Sequence, residues 1–404
     1  MISVRPQPVG IFPFPAGLLL LPEPAEPQTE ALAAVMRADS NADVPCEWNF
    51  YLDAIAGTSG TSMSLDERDP IGAYNRFVLS GEPEHYRQLL TTLDGALAVL
   101  LEFAAFYHGL ADVLPAIDLL NGELRALALM IVAAQDLEAQ DTNLALTHLA
   151  EAVDCARPVS PVFAAHLLGQ MAQLRSGDSV AITYCREAID LLANCATERM
   201  RAEAWMHLGQ VCQEQAGNSR TLLVESAQAY QQALRHGISL ECNQDLYALA
   251  QNNIGLAYLA MPMTGSGSSL RSGVAIQSFR EALKVYDRER DPDLWVSTQL
   301  NLANALQYTH SSHPEENLAR AVEIYEDLLS IRQRAMDPVG YARILANQAN
   351  ALAHLGIFSS AMEKATEAHK LFHWHNEAQL ATSMLELTIQ INGRLGQSPH
   401  TEVA

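Results

Sequence analysis

The strongest constraint on the fold is an internal repeat that begins near residue 115 and continues almost to the end of the chain. Each unit has a helix A, in which a large apolar residue is followed directly by Gly or Ala, and a helix B that carries small residues on one face. The helix A small positions are Ala133, Gly169, Gly209, Gly255, Ala303 and Ala349. The closing positions of helix B are Ala152, Ala188, Ala233, Ala282, Leu328 and Ala368. Small side chains let neighbouring helices approach closely, so the repeat predicts stacked helix pairs.

Two parts of this repeat carry a resemblance to a known family. Trp205-x-x-Leu208-Gly209 and Tyr230-x-x-Ala233 resemble the helix A and helix B halves of the tetratricopeptide signature. Residues 295–325 are similar to the long-unit tetratricopeptide arrays of bacterial signalling proteins and kinesin light chains. The resemblance covers residues 120–396. It implies an all-α, right-handed superhelical solenoid of antiparallel helix pairs that binds a partner, without naming one.

The sequence departs from the signature in two places. Leu328 stands where the signature has Ala, and Gln348 stands where an aliphatic residue is usual. Composition agrees with the helical class, because Ala and Leu dominate and aromatic residues make up only 6%. We therefore expect over two-thirds helix, in about fourteen to sixteen helices.

The charge restricts the kind of partner. The chain has 47 acidic and 25 basic residues, a net charge of −22. Such a surface repels phosphate backbones and anionic lipid headgroups, so we expect no nucleic-acid partner and no membrane partner. A protein or peptide partner, possibly basic, fits better, although the charge could equally serve solubility alone.

The cysteines and the N-terminus bear on location. None of the six cysteines forms a C-x-x-C motif, and most fall within helical apolar patterns, as expected in a reducing compartment. Prolines interrupt the apolar residues 1–21, and the stretch 96–110 is too short to span a bilayer. The sequence predicts a cytoplasmic protein.

Three regions are predicted along the chain. Residues 1–110 do not repeat and are interpreted as an N-terminal cap over the open end of the repeats. Residues 111–396 form about six repeat units, and residues 397–404 form a flexible tail. Within the fourth unit, the polar segment 264–269 is predicted to be an exposed loop between the two helices.

Side-chain amides recur at two positions of helix A. One set lies two residues before the small position, and the other lies one or four residues after it. The first set is Asn253, Asn301 and Asn347, for which a structural role is favoured over ligand recognition. The second set is Gln170, Gln173, Gln210, Gln213, Asn304, Gln307 and Asn350. In the resembled family these positions face the concave groove, where amides can hydrogen-bond an extended peptide, so all ten residues are candidates for the partner-binding groove.

Other chemistry finds little support in the sequence. The loop 57–62 lacks the Gly-Lys-Ser/Thr ending of a phosphate-binding loop, so no cofactor is predicted. His369, His373 and His375 cluster near Trp374 but lack a local carboxylate or cysteine, so no metal site is predicted. No combination of acid, base and nucleophile emerges, and no catalytic residue is named.

The leading interpretation of the sequence is an interaction scaffold or adaptor, which would suit a protein that assists assembly of a larger complex. The alternatives are a sensor that responds to a ligand or peptide and, third, an enzyme whose unrecognised site lies in residues 1–110.

Overall fold

Every regular element that the structure describes is helical. The computed structural model describes residues 7–24, 28–37, 39, 42–57, 68–195, 197–261, 267–309, 313–332 and 334–395. The N-terminal helices are α1 (Thr29–Met36), α2 (Asn49–Ala56), α3 (Pro70–Ser80), α4 (Pro83–Thr92) and α5 (Gly95–Tyr107). The helices of the repeat are α6 (Gly122–Glu138), α7 (Thr142–Ala156), α8 (Pro161–Leu174), α9 (Val180–Leu192), α10 (Glu198–Gln215), α11 (Arg220–Arg235), α12 (Gln244–Ala260), α13 (Ser268–Ala282), α14 (Pro292–Gln307), α15 (Pro314–Ile331), α16 (Pro338–His354), α17 (Phe358–Trp374) and α18 (Ala378–Leu395).

Two stretches of the N-terminal segment, residues 7–10 and 16–21, are buried, and the second begins with a short 3-10 helix, Ala16–Leu18. Leu19 and Leu20 are fully buried. The backbone N–H of Leu20 donates to Asn75 Oδ1 at 2.9 Å, and Asn75 Nδ2 donates back to the Leu20 carbonyl at 2.6 Å. The backbone N–H of Gln7 donates to the buried carboxylate of Glu123. Side chains from helices thus satisfy a buried extended backbone, as a neighbouring strand would in a sheet.

The starts of the N-terminal helices follow from local sequence. Helix α3 begins at Pro70, and the side chain of Asp69 accepts from the N–H of Gly72 at 3.1 Å. Helix α4 also begins with a proline, Pro83. Proline fits the first turn because its missing N–H would have no partner there. Helix α5 is apolar nearly all round, and its residues 99–101 and 103–105 are buried.

The predicted repeat register is confirmed by burial. Five of the six helix A small positions are buried and the sixth, Gly169, is half-buried, while all six helix B closing positions are buried. Consecutive helices pack against each other in the pairs α6–α7, α8–α9, α12–α13, α14–α15 and α16–α17. The chain is therefore an all-α, tetratricopeptide-like repeat of helix pairs.

The chain divides into two compact units. The first unit comprises residues 1–215 and 235–237, and the second comprises residues 216–234 and 238–404. In the first unit, one hydrophobic cluster extends from Val9 to Leu192 and crosses residue 110 without interruption. The N-terminal region and the first repeats therefore share one core, and a separate capping role for residues 1–110 stays a prediction.

Several details differ from the expectation. The described residues contain eighteen α-helices, because the N-terminal region alone supplies five short ones. Helix α13 already begins at Ser268, which is buried, so residues 268 and 269 do not belong to the predicted loop. Residues 262–266 and the predicted tail 397–404 lie outside the described residues.

Both departures from the repeat signature are accommodated in the core. Leu328 is buried, as an alanine would be. Gln348 is fully buried, and its Nε2 donates to Glu326 Oε2 at 3.0 Å. A buried amide costs stability unless it is hydrogen-bonded, and this bond offsets part of that cost.

Two further observations bear on the predicted location. Across the described residues, no helix combines the length and the apolar character needed to cross a membrane. All six cysteines are free thiols. Cys185 and Cys212 are buried as predicted, whereas Cys46 and Cys242 are exposed.

Candidate functional site

One concave site lies in the first unit, between α8 and α10. These are the A helices of two successive repeats, and α9 lies behind them as the floor. A Cβ built at Gly169 on α8 would lie 3.8 Å from His207 Nδ1 on α10, which is an ordinary van der Waals distance. The small-residue position of this repeat therefore lies against a polar side chain of the next helix A.

A cavity of about 240 Å³ opens between these helices. Its apolar lining comes from all three helices and consists of Ala165, Gly169, Cys185, Ala188, Leu192, Met200 and Ala204. Its polar lining consists of His166, Gln170, Gln173, Glu203 and His207. An apolar floor with a few convergent polar groups is the usual composition of a ligand-binding pocket.

A second depression, of about 220 Å³, continues from the first. Gln173 and His207 line both, and Ser176, Gln210 and Glu214 extend the lining towards the ends of the two helices. The two depressions are therefore adjacent along α8 and α10, and we call them together the first-unit groove.

The two histidines of the first-unit groove are held in the neutral form. Gln170 Nε2 lies 3.0 Å from His166 Nε2. Because an amide nitrogen can only donate, His166 Nε2 is the acceptor and the ring proton sits on Nδ1. Burial lowers the pKa of His166, and the nearby His207 lowers it further, while Glu203 acts in the opposite direction. Burial likewise lowers the pKa of His207.

The charge of the first-unit groove is negative at neutral pH. Glu203 and Glu214 are its carboxylates, and no Lys or Arg occurs among its described lining residues. Arg199 does pair with Glu203, through a 3.0 Å contact of Nε with Oε1. That pair is partly exposed and so screened by solvent, and it occupies one of the two carboxylate oxygens.

The three glutamines of the first-unit groove present acceptor oxygens. The Nε2 of Gln210 donates to Glu214 Oε1 at 2.8 Å, and the Nε2 of Gln173 lies 3.4 Å from His207 Nε2. Their Oε1 atoms, like that of Gln170, accept no hydrogen bond from the described residues. Three predicted candidates are thus brought together, with their oxygens free to accept from a ligand.

Three other candidate amides meet in the second unit, around a buried tyrosine. The hydroxyl of Tyr325 donates to Asn304 Oδ1 at 2.7 Å, and the same oxygen accepts from Asn347 Nδ2 at 2.9 Å. The Gln307 amide lies 3.0 Å from the hydroxyl. Because a hydroxyl carries one hydrogen, Gln307 completes the network when its nitrogen faces the hydroxyl oxygen. Burial raises the pKa of Tyr325, so the hydroxyl stays protonated.

The remaining candidates are dispersed. Gln213 is half-buried, and its Oε1 has no hydrogen-bond partner within the described residues. Asn253 Oδ1 accepts from its neighbour Asn252, and Asn301 is half-buried. Asn350 Nδ2 donates to the Ala346 carbonyl at 3.3 Å within its own helix. The structure does not bring these four together with the first-unit groove glutamines.

Sequence reasoning missed His166, Glu203 and His207. A signal for His207 was present, because it lies two residues before Gly209, the repeat position that asparagine occupies in three later units. No comparable signal marks Glu203, which reaches the cavity only because α10 packs beside α8.

The C-terminal histidines form a pair rather than a cluster. His369 and His373 stack with ring centroids 6.2 Å apart, and His369 Nδ1 lies 2.8 Å from the Ala381 carbonyl, to which it can donate. Within the described part of the chain, no three His, Cys, Asp or Glu side chains are grouped closely enough to hold a metal ion.

Comparison with known proteins finds similarity only among solved structures. No family model matches the sequence, and no curated protein matches it. The apo form of RapI shares 12% identity, with a TM-score of 0.42, and the match covers 68% of this chain and 99% of that one. A Rap protein complexed with Competence and Sporulation Factor shares 13% identity, with a TM-score of 0.40 over 91% of this chain and 97% of that one. The TPR2AB domain of yeast Sti1, in complex with pHSP90, shares 14% identity, with a TM-score of 0.26 over 66% of this chain and 98% of that one. Similarity at this level carries no information about the site.

Proposed function

We propose that this chain is a polypeptide-binding scaffold or adaptor, rather than an enzyme, and that the first-unit groove binds an extended, basic segment of its partner. The observation that carries this proposal is the row of unoccupied amide oxygens of Gln170, Gln173 and Gln210 along a groove with an apolar floor. Such oxygens can accept hydrogen bonds from the backbone N–H groups of a partner, whatever side chains the partner carries. Each bond would contribute about 0.5–1.5 kcal/mol net.

The charge of the groove favours a basic segment. Glu203 and Glu214 attract a cation, and the neutral imidazoles of His166 and His207 do not repel one. The amide oxygens of the glutamines add acceptors, which suit the several N–H donors of Lys or Arg. The net charge of −22 adds long-range attraction, which raises the association rate and weakens with salt.

The volume of the first-unit groove favours the side chains of a bound peptide over a bulky small molecule. Depressions of about 240 and 220 Å³ are smaller than the roughly 300–1,000 Å³ pockets that enclose drug-sized molecules. Two small depressions in line suit alternate side chains of an extended peptide. The scaffold is therefore favoured over a sensor of small metabolites.

The test is peptide binding by the intact chain. Nonapeptides selected from a random displayed library would be labelled with fluorescein and titrated by anisotropy against the native chain and against a Gln173→Ala, Gln210→Ala double variant. We expect the selected peptides to be rich in Lys and Arg and to bind the double variant about tenfold more weakly, from two lost hydrogen bonds.

A matched control carries Gln228→Ala and Gln277→Ala, two exposed glutamines on α11 and α13. This variant should bind like the native chain. Equal binding by all three proteins would place the peptide site outside the first-unit groove and overturn the proposal. Mass spectrometry of material retained from extract would separate a scaffold, which retains a protein, from a sensor, which retains a small molecule.

A further inference from the structure

A second concave site lies in the second unit and shares no residue with the first-unit groove. It has a volume of about 570 Å³ and opens between the C-terminal end of α17 and the turn that leads into α16. We call it the Trp374 pocket. Its lining residues are Arg334, Ala335, Pro338, Lys370, Leu371, Trp374 and His375.

The Trp374 side chain is unusually exposed. It is 82% exposed at the end of α17, while Leu371, one turn earlier, is buried. Met336, in the same turn before α16 as the lining residues Arg334 and Ala335, is 81% exposed. Tryptophan and methionine are enriched at protein interfaces, where tryptophan often contributes most of the binding energy. A large aromatic face left in water beside a pocket therefore points to a partner that covers it.

The charge of the Trp374 pocket is opposite to that of the chain. Its described lining carries two cations, Arg334 and Lys370, and no carboxylate, although the whole chain has 47 acidic residues and 25 basic ones. Arg334 Nη1 contacts Glu367 Oε1 at 2.9 Å, which leaves its other N–H groups available. Lys370 makes no salt bridge within the described part of the chain and is exposed.

We propose that the Trp374 pocket binds a polypeptide segment in which carboxylates flank a large apolar side chain. The apolar side chain would pack on the Trp374 ring and on Leu371, and the carboxylates would pair with Lys370 and Arg334. Single-stranded nucleic acid could also combine stacking with negative charge. We favour the polypeptide because a surface with net charge −22 repels a polyanion along its whole length, whereas two carboxylates need only the local cations.

The experiment uses the full chain and follows tryptophan fluorescence. Because the chain has four tryptophans, the signal of Trp374 is isolated as the difference between the native chain and a Trp374→Phe variant. The probes are three capped pentapeptides, Gly-X-Phe-X-Gly with X as Glu, Gln or Lys, and an oligothymidylate of eight nucleotides. We expect the Glu peptide to bind about fivefold more tightly than the Gln peptide, and the Lys peptide not to bind, as two partly exposed charge pairs would give.

Charge reversal supplies the control. Lys370→Glu should reverse the order of affinity, so that the Lys peptide binds more tightly than the Glu peptide. The control Arg320→Glu, at an exposed position on α15 where Arg320 pairs with Glu323, should leave the order of affinity unchanged. The proposal would be overturned by equal affinity of the native chain for the Glu and Gln peptides. It would also be overturned if the Lys370→Glu variant still bound the Glu peptide more tightly than the Lys peptide. Tighter binding of the oligothymidylate than of the Glu peptide would overturn it in favour of a nucleic-acid site. Because the readout depends on the second unit alone, the result is independent of the first-unit groove.

Discussion

Gly255 on α12 lies directly against the ring of Phe279 on α13, so closely that a Cβ at Gly255 would sit 2.6 Å from Phe279 Cε1. The Phe279 side chain is fully buried, so it cannot swing aside. We expect Gly255→Leu to overpack this contact and to lower the free energy of unfolding by about 1–3 kcal/mol. Urea denaturation followed by circular dichroism measures the change.

Gly273 provides the matched control within the same helix pair. It lies on α13, and nothing comes within 4 Å of a Cβ built there. Gly273→Ala should therefore raise stability by roughly 0.5–1 kcal/mol, because alanine is the better helix former. A Gly255→Leu protein as stable as the native chain would mean that α12 and α13 do not pack in this register.

The hydroxyl of Tyr325 should contribute to the free energy of unfolding through its hydrogen bonds. Tyr325→Phe keeps the buried ring but removes the hydroxyl that joins Asn304 and Gln307, so the Gln307 amide loses this partner and Asn304 Oδ1 keeps only the bond from Asn347. We expect a loss of about 1–3 kcal/mol in the free energy of unfolding. Tyr308→Phe, at a tyrosine 53% exposed on the adjoining turn, should change the stability by less than about 0.5 kcal/mol. Similar effects of both changes would contradict the network.

The candidate amides should separate into two classes by mutation. Asn304→Ala breaks bonds to Tyr325 and Asn347, so we expect a lower melting temperature and unchanged affinity for a peptide selected on the native chain. Gln210→Ala removes an exposed side chain that hydrogen-bonds only to Glu214, so we expect an unchanged melting temperature and a lower affinity for the peptide. Melting curves measure the stability of the two variants, and anisotropy titrations measure their affinity for the peptide. If Asn304→Ala lowered affinity and spared stability, the peptide would have to bind in the second unit.

The buried histidines should make stability depend on pH. Burial lowers the pKa of His166 and His207 below the usual 6.5 in the folded chain, so the unfolded chain takes up protons first as pH falls. The stability due to their neutral forms is therefore complete above pH 6.5 and declines as the pH falls below that value. A His166→Gln, His207→Gln variant should show a shallower decline in melting temperature below pH 6.5. An identical decline in both proteins would show that other groups cause it.

Much of the fold could be predicted because its signals are local. The small residues of helix A and helix B recur in the sequence, and close packing of helices requires them, so the buried positions of both helices could be predicted from the repeat alone. The starts of α3 and α4 were predictable for a similar reason, since Pro70 and Pro83 act within one turn. The burial of residues 7–10 and 16–21 was not, because Glu123 and Asn75, which hydrogen-bond to the backbone of Gln7 and Leu20, lie far away in sequence.

The candidate site shows the same division between local and distant information. The sequence by itself determined that amides occupy equivalent positions on helix A, since that requires only the repeat period. Only the tertiary structure decided what each amide does. Gln173 and Gln210 lie in a groove beside Glu203 and His207, whereas Asn304 bonds to Tyr325 in the core. The physical reason is that a side chain's partners belong to neighbouring helices, and the repeat pattern fixes the position of a residue on its own helix but not the residues that face it.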